Sequence, residues 1–149
     1  MKKMIKNYEE LNNFYKSLAG KSLSNYQLLL IYLLTKSTTA ARHKLDNSLP
    51  KEFLPNALLW TDIVIYAVCY LNYEVNSGYR CEVLNKKVGG VDNSKHLKAL
   101  AVDFCVPRTT TLPEVNDFIR FINESLSNYA YVDYHYRRGN MLHVQLKLK

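Results

Sequence analysis

The segment SKHLKALAVD, residues 94–103, sets a histidine and an aspartate seven positions apart in a chain that has four histidines. His96 and Asp103 are either two ligands of one metal ion, or a surface histidine and an ordinary carboxylate at the edge of a strand. Asp103 lies in an apolar, strand-like stretch, where a carboxylate without a partner is costly. A divalent cation would supply that partner, although His-x6-Asp alone is not a standard metal signature.

A third candidate ligand lies in the last apolar run, MLHVQLKL, residues 141–148. Alternation with a period of two puts Leu142, Val144 and Leu146 on one face of the predicted strand, which we expect to be the core face. His143 then points away from the core, towards whatever packs over the sheet. Two neutral imidazoles and one carboxylate leave one coordination position open, which is the ligand count of a catalytic zinc.

The elements that must position these residues are short helices and strands. The run 25–35 is apolar enough for either a helix or a strand, and periodicity does not decide between them. A hairpin is predicted at the end of the chain, where residues 137–140 join two β-rich runs. Together these patterns indicate an α+β fold with helices around a small, mostly antiparallel sheet. Further helices are predicted over 4–18, 37–42, 55–70, 81–88 and 112–123, and further strands over 73–77 and 101–106.

The composition is that of a folded protein. With 149 residues, 48% of them apolar and 22% charged, we expect one domain over residues 1–149 and no wholesale disorder. The net charge of +7 favours anionic partners, such as nucleic acid, anionic lipid or bacterial wall polymers. The basic residues are scattered, however, and no block reaches the length of a nucleic-acid-binding arm.

Cysteine usage and hydropathy exclude several classes. Three cysteines without a C-x-x-C pair argue against a disulfide framework and a thiolate zinc knuckle, and Cys69, in an apolar run, is predicted to be buried. The N-terminus has no apolar segment typical of a secretory signal, and the run 28–34 is too short to span a membrane. We therefore expect synthesis in the cytoplasm and no membrane span.

Residues 76–103, NSGYRCEVLNKKVGGVDNSKHLKALAVD, resemble the zinc D-Ala-D-Ala carboxypeptidase family, whose relatives include D-Ala-D-Ala dipeptidases and phage endolysin peptidases. The family pattern is SGYR, a helix with an asparagine, a Gly-Gly turn, S-x-H-x-x-G-x-A-x-D, and a final histidine in an H-V strand. Upstream, STTAARHKLDNSLP is similar to the family's S-x-x-A…DN-x-P segment. The likeness covers about residues 35–147 and leaves residues 1–30 as a helical extension. The matching positions are Ser77–Arg80, Asn85, Gly89–Gly90, Ser94–Asp103 and His143–Val144.

This resemblance implies an open zinc site with His96, Asp103 and His143 as ligands. It also implies that Arg80 binds a carboxylate of the substrate, a role that suits the paired donors of a guanidinium. Ser94 would position the substrate or its own loop. The implied activity is hydrolysis of peptidoglycan stem peptides or crosslinks by a zinc peptidase, of carboxypeptidase or endolysin type. We expect a monomer that acts on the cell wall, and the missing secretion signal suits a phage-encoded enzyme.

Two positions depart from the family pattern. Ala99 replaces the glycine of S-x-H-x-x-G, which is strained if the position needs a positive φ. The usual general base would lie at Asn140 or Met141, and neither side chain can take a proton from water. The remaining candidates for the base are His135 and Asp133 on the preceding strand, and the hairpin register decides between them. A four-residue turn would pair His135 with Leu142, whereas a three-residue turn would pair it with His143.

Two alternatives to an enzyme follow. The first is a wall-binding module of the same fold, with zinc or without it, that is catalytically weak or inactive because its base is lost. The second is a basic nucleic-acid-binding protein in which the histidines are incidental, and it leaves the ordered match from SGYR to the last histidine unexplained. We therefore expect no nucleic-acid partner.

Overall fold

A four-stranded antiparallel sheet lies at the centre of the computed structural model, which describes residues 23–137 and 139–149. The strand order is β1-β2-β4-β3, so β2 and β4 are the interior strands. The fold is α+β, as predicted. The helix predicted over 4–18 lies outside the described residues. The helices are α1 (Asn25–Thr35), α2 (Thr38–Arg42), α3 (Leu54–Leu58), α4 (Thr61–Tyr70), α5 (Glu82–Lys87) and α6 (Leu112–Leu126); 3-10 turns span Lys51–Phe53 and Lys95–Lys98; the strands are β1 (Glu74–Ser77), β2 (Ala101–Cys105), β3 (Ala130–Arg137) and β4 (Met141–Leu148).

The two faces of the interior strands have different environments. On β4, Leu142, Val144 and Leu146 are fully buried, as the alternation predicts, and they lie opposite core residues of β2. The helices α1, α4 and α6 contribute Leu28, Ile63 and Ile122 to the same core. The opposite face carries Asp103 and His143 and stays partly open to solvent.

The run 25–35, which the sequence left open, is helix α1. Its start is set by a capping box, in which Ser24 accepts from the backbone of Gln27 while the Gln27 side chain accepts from the backbone of Ser24. The next helix begins after Ser37, whose side chain caps it by accepting from the backbone N–H of Ala40 at 3.1 Å.

The predicted single helix over 55–70 is wrong, because the chain forms two helices that are bent by 58° at Leu59 and Trp60. Pro55 lies in the first turn of α3, where its missing N–H costs no hydrogen bond. At the break, the fully buried indole of Trp60 donates from Nε1 to the carbonyl oxygen of Ala99 at 2.9 Å. A buried indole N–H needs such a partner, and the bend lets Trp60 reach it.

The predicted burial of Cys69 is also wrong. Helix α4 buries Ile63, Val64 and Ala67 against the core, and Cys69 lies on the exposed side of the same helix as a free thiol.

The apolar helices of the described ranges are short. Taken one at a time, none of them is long and apolar enough to cross a membrane. The pair formed by Lys51–Leu58 and Thr61–Tyr70 reaches that threshold only when both parts are counted together.

The C-terminal hairpin forms as predicted, and its register settles the question of turn length. His135 pairs with His143 and Arg137 pairs with Met141, so Arg137 belongs to β3 and three residues make the connection. Gly139 and Asn140, with φ of 80° and 59°, supply the left-handed backbone that such a turn requires.

Candidate active site

Strands β2 and β4 bring Asp103 and His143 together. The two residues are direct partners across the antiparallel ladder, so their side chains share the face that is turned away from the core. Nδ1 of His143 lies 2.6 Å from Oδ1 of Asp103. The adjacency follows from the register alone, and it puts a carboxylate and an imidazole at the centre of the sheet.

His96 reaches the same carboxylate from the 3-10 turn that precedes β2. Ser94 caps this turn by accepting from the backbone N–H of His96 at 3.2 Å. The turn ends at Ala99, whose φ of 58° lies in the left-handed region. Because Ala99 stands where the family pattern has glycine and its φ is positive, its backbone is strained, at a cost of about 1 kcal/mol of stability. The hydrogen bond from Trp60 to the Ala99 carbonyl holds this strained end in place.

His96, Asp103 and His143 form a group that is shaped for a metal ion. One ligand atom from each residue lies within 4.8 Å of the other two. The His96 side chain is 3% exposed, and its Nε2 has no hydrogen-bond partner although it lies 3.3 Å from Oδ2 of Asp103. A buried polar atom without a partner is costly, and a cation between the imidazole and the carboxylate would satisfy it. The residues thus fit a zinc ion of the open, three-ligand type.

Outer partners orient both imidazoles. Nδ1 of His96 lies 2.6 Å from the carbonyl oxygen of Gly78, which can only accept, so the proton sits there and Nε2 presents its lone pair to the group. Nε2 of His143 lies 2.9 Å from Oε1 of Gln145, which leaves Nδ1 as the atom that faces Asp103. Partners of this kind fix the tautomer of metal-binding histidines. Sequence reasoning missed both, although the alternation along β4 puts Gln145 on the same face as His143.

The group is electrostatically polarised. Burial alone would raise the pKa of Asp103, but the hydrogen bond from His143 and the contacts with His96 outweigh it and hold that pKa well below its usual range. The same hydrogen bond raises the pKa of His143. The site thus keeps Asp103 ionised and favours the protonated form of the neighbouring imidazole.

Arg80 borders this group and is held by three side chains. Its Nε donates to Ser77 at 3.0 Å, its Nη1 to Asn85 at 3.0 Å, and its Nη2 to Oδ2 of Asp103 at 3.4 Å. Burial lowers its pKa while Asp103 opposes that shift, and the guanidinium stays charged. The Nη1 and Nη2 groups each keep one further N–H, which leaves two donors for a substrate.

Two backbone features make room for Arg80. Strand β1 has a bulge at Asn76, and this extra residue brings Ser77 opposite Asp103 on the face of the site. At Gly90, an added Cβ would lie 2.0 Å from Oδ1 of Asn85 and 2.9 Å from Nη1 of Arg80. The Gly-Gly turn is therefore needed because the backbone passes against the pair formed by Asn85 and Arg80.

Residues 34–144 match the family model described as Peptidase M15. The chain belongs to the peptidase M15 family. Comparisons with curated proteins and with solved structures gave no significant match. M15 peptidases are zinc-dependent, and the His-Asp-His group gives this member a candidate zinc site. The match supports a zinc metallopeptidase, and it does not distinguish a carboxypeptidase from an endopeptidase.

The individual roles in this M15 domain remain predictions. The structure brings together His96, Asp103, His143 and Arg80, with Ser94 at the cap of the His96 turn. It leaves the two candidate bases outside the three-residue group. His135 pairs with His143 and Asp133 with Gln145, so both lie on strand β3 on the same face as the site, and both are exposed. Asn140 instead supports the turn, because its carbonyl oxygen accepts from Val106 at 2.8 Å.

Zinc uptake by the M15 site should depend on pH. Oδ1 of Asp103 can only accept, so Nδ1 of His143 carries a proton that zinc must displace. Below the raised pKa of His143, apparent zinc affinity should therefore fall about tenfold per pH unit, and it should level off above that pKa. Competition with a chelating dye between pH 5.5 and 8.5 measures this, after correction for the dye's own protonation. An affinity that stays flat over this range would contradict a proton at Nδ1 of His143.

Proposed function

We propose that this M15 domain is a zinc-dependent carboxypeptidase that removes the terminal residue from the stem peptide of bacterial peptidoglycan. The observation that carries the proposal is that Nη2 of Arg80 and Nε2 of His96 contact the same oxygen, Oδ2 of Asp103, at 3.4 and 3.3 Å. A binding site for an anion therefore adjoins the metal group directly.

That adjacency favours cleavage beside a free carboxylate. In a C-terminal residue, the carbon of the scissile carbonyl and the carbon of the carboxylate are three bonds apart, which is about 4 Å at most. An Arg80 guanidinium that binds the carboxylate would place the last peptide bond at the metal group. A bond in the middle of a crosslink has no carboxylate at that spacing unless its residues carry one in a side chain.

The residues would divide the work as follows. Bound zinc supplies a Lewis acid for the scissile carbonyl and lowers the pKa of water at the open position. Arg80 orients the substrate by its carboxylate, and its fixed contacts mean that little freedom is lost on binding. Gly78 and Gln145 hold the imidazoles of His96 and His143 in the orientation that the ligands need. The net charge of +7 suits an anionic polymer, and we propose the cell wall as the place of action.

The direct test uses defined stem peptides. The zinc-loaded protein should release D-alanine from a pentapeptide that ends in D-Ala-D-Ala, and it should leave the same peptide with an amidated C-terminus largely intact. A chelator should stop the release and added zinc should restore it, as followed by mass spectrometry of the products. Cleavage of crosslinked dimers at an internal bond, with no free D-alanine, would replace the carboxypeptidase proposal with an endopeptidase.

A second candidate function is a wall-binding module of the same fold with little or no turnover. Asn140 and Met141 favour it, because neither offers a base where the family pattern expects one. It predicts chelator-independent binding to isolated cell walls and no release of amino acids or peptides from any muropeptide. If the wild-type protein forms more product than a variant whose candidate zinc ligands are replaced, the wall-binding module without turnover is excluded.

If the domain is an enzyme, His135 is the favoured base because it lies opposite His143. His135→Gln should lower kcat about 10²–10⁴-fold, since losing a general base typically costs that much, while zinc content stays unchanged. Asp133→Asn, on the same strand and face, is the matched variant and should stay within about threefold of wild type. The reverse pattern would assign the role to Asp133 instead. If neither variant slows turnover, the protein uses neither residue as the base.

A further inference from the structure

Asn47 is a buried amide whose hydrogen bonds all go to the main chain. Asn47 is 7% exposed to solvent. Nδ2 donates to the carbonyl oxygens of Thr35 and Tyr79, both at 2.9 Å, and Oδ1 accepts from the backbone N–H of Cys81 at 2.8 Å. Three of the four hydrogen bonds that a primary amide can make are thus formed, all with backbone groups.

Two of these partners flank Arg80. Tyr79 and Cys81 are its neighbours in sequence, so the amide of Asn47 bridges the loop on both sides of the arginine. The third partner, the Thr35 carbonyl, is one of the last four in helix α1, which have no partner within the helix. Asn47 therefore ties the Arg80 loop to the end of a helix that packs in the core.

The amide completes a set of main-chain bonds that locates the Arg80 backbone. The N–H of Tyr79 donates to the Leu34 carbonyl at 2.7 Å, and the N–H of Arg80 donates to the His96 carbonyl at 3.1 Å. These two bonds hold the N-terminal half of the loop. The bond from Cys81 to Asn47 holds the C-terminal half, where α5 begins and where Asn85 receives the guanidinium.

We propose that Asn47 is a positioning residue that sets the place of the Arg80 guanidinium and thereby the affinity for the substrate's carboxylate. This inference rests on the proposed function, in which Arg80 binds that carboxylate. Asn47 touches neither the ligand group nor the substrate in this scheme, so its effect should appear in KM rather than in kcat.

Asn47→Asp is the sharpest variant. It keeps the volume and the acceptor for Cys81, but it puts a carboxylate oxygen where Nδ2 now donates to two carbonyls. The expected result is a rise of about tenfold in KM for a peptide with a free C-terminal carboxylate, with kcat within about twofold and zinc content unchanged. Hydrolysis of the amidated peptide should not change, because that substrate offers Arg80 no carboxylate.

Asn56→Asp is the matched control. Nδ2 of Asn56 also donates to a backbone carbonyl, that of Lys98 at 3.0 Å, which lies outside the Arg80 loop. Its KM should stay within about twofold of wild type. Asn47→Ser, whose hydroxyl can keep one of the three bonds, should show a smaller rise in KM, and it decides the matter if the aspartate variant does not fold.

The outcomes separate this inference from the proposed function. Binding of a stem tetrapeptide, the expected product, measured by calorimetry on the zinc-loaded protein does not depend on turnover. If wild type neither hydrolyses the pentapeptide nor binds this product, the proposed function fails and the inference fails with it. If wild type does both and Asn47→Asp matches Asn56→Asp in KM and product affinity, only the role of Asn47 is overturned. If Asn47→Asp binds only the free-carboxylate peptides more weakly, the positioning role of Asn47 is supported.

Discussion

Replacing Asp103 with asparagine should abolish zinc uptake and peptide hydrolysis together. The carboxylate lies within 3.4 Å of a nitrogen from each of His96, His143 and Arg80, and it is the only anion in the three-residue ligand group. Asparagine keeps the volume but loses the charge, so the loss of affinity should exceed the 10–100-fold that follows from changing an outer partner. Metal analysis after dialysis should find about one zinc per chain in wild type and less than a tenth of that in the variant.

Two further variants keep this test interpretable. Asp103 also balances the charges of Arg80 and His143, and removing one member of a buried ion pair costs up to about 3–5 kcal/mol of stability, so the fold itself could be lost. His96→Gln removes a ligand whose Nε2 has no hydrogen-bond partner, and it should lose zinc while it stays folded by circular dichroism. His43→Gln changes an exposed histidine outside the group and should keep both zinc and activity. Equal zinc in all four proteins would overturn the metal site.

Replacing Arg80 with lysine should lower kcat/KM about 10²-fold on a free-carboxylate peptide, with zinc retained. The guanidinium satisfies Ser77, Asn85 and Asp103 at once and keeps two N–H groups for a substrate, whereas an ammonium has three donors in all. Losing one charge-assisted pair is worth about 3 kcal/mol, which corresponds to roughly 10²-fold in rate.

The control for this exchange is Arg120→Lys. Arg120 pairs with Asp117 at 3.3 Å on the surface of α6, and both side chains are 68% exposed, so the change should leave kinetics and stability close to wild type. Steady-state kinetics on the free and amidated peptides completes the comparison. A similar loss on both substrates would show that Arg80 does not act through the carboxylate.

Much of this arrangement could be predicted from local sequence patterns. The alternation along MLHVQLKL placed His143 opposite the core face, and the structure confirms that placement because Leu142, Val144 and Leu146 are buried. The expense of a lone carboxylate in a strand predicted a cation as the partner of Asp103, and that cation stays a prediction. The structure shows that nitrogen atoms of His96, His143 and Arg80 contact the carboxylate. These features depend on periodicity and charge, which are both visible within a few residues.

The features that were missed depend on contacts between distant parts of the chain. The break at Trp60 interrupts a mostly apolar run, and its indole finds a partner 39 residues away. The amide of Asn47 bonds to backbone 32 and 34 residues further on. The face of β3 that carries His135 could be assigned only from the hairpin register. A change of one residue in the length of the turn would move His135 to the other face.

The position of the candidate zinc ligands in the fold has a consequence for the rate of metal release. Asp103 and His143 lie on the two interior strands, whose amides should exchange with solvent only through nearly complete unfolding. His96 lies on a four-residue 3-10 turn that ends at a strained alanine, and we expect this turn to open more readily than the sheet. Hydrogen exchange should therefore be slow at residues 103 and 143 and faster along 95–98. A metal ion would then leave by losing its histidine on the turn first, at a rate set by local opening.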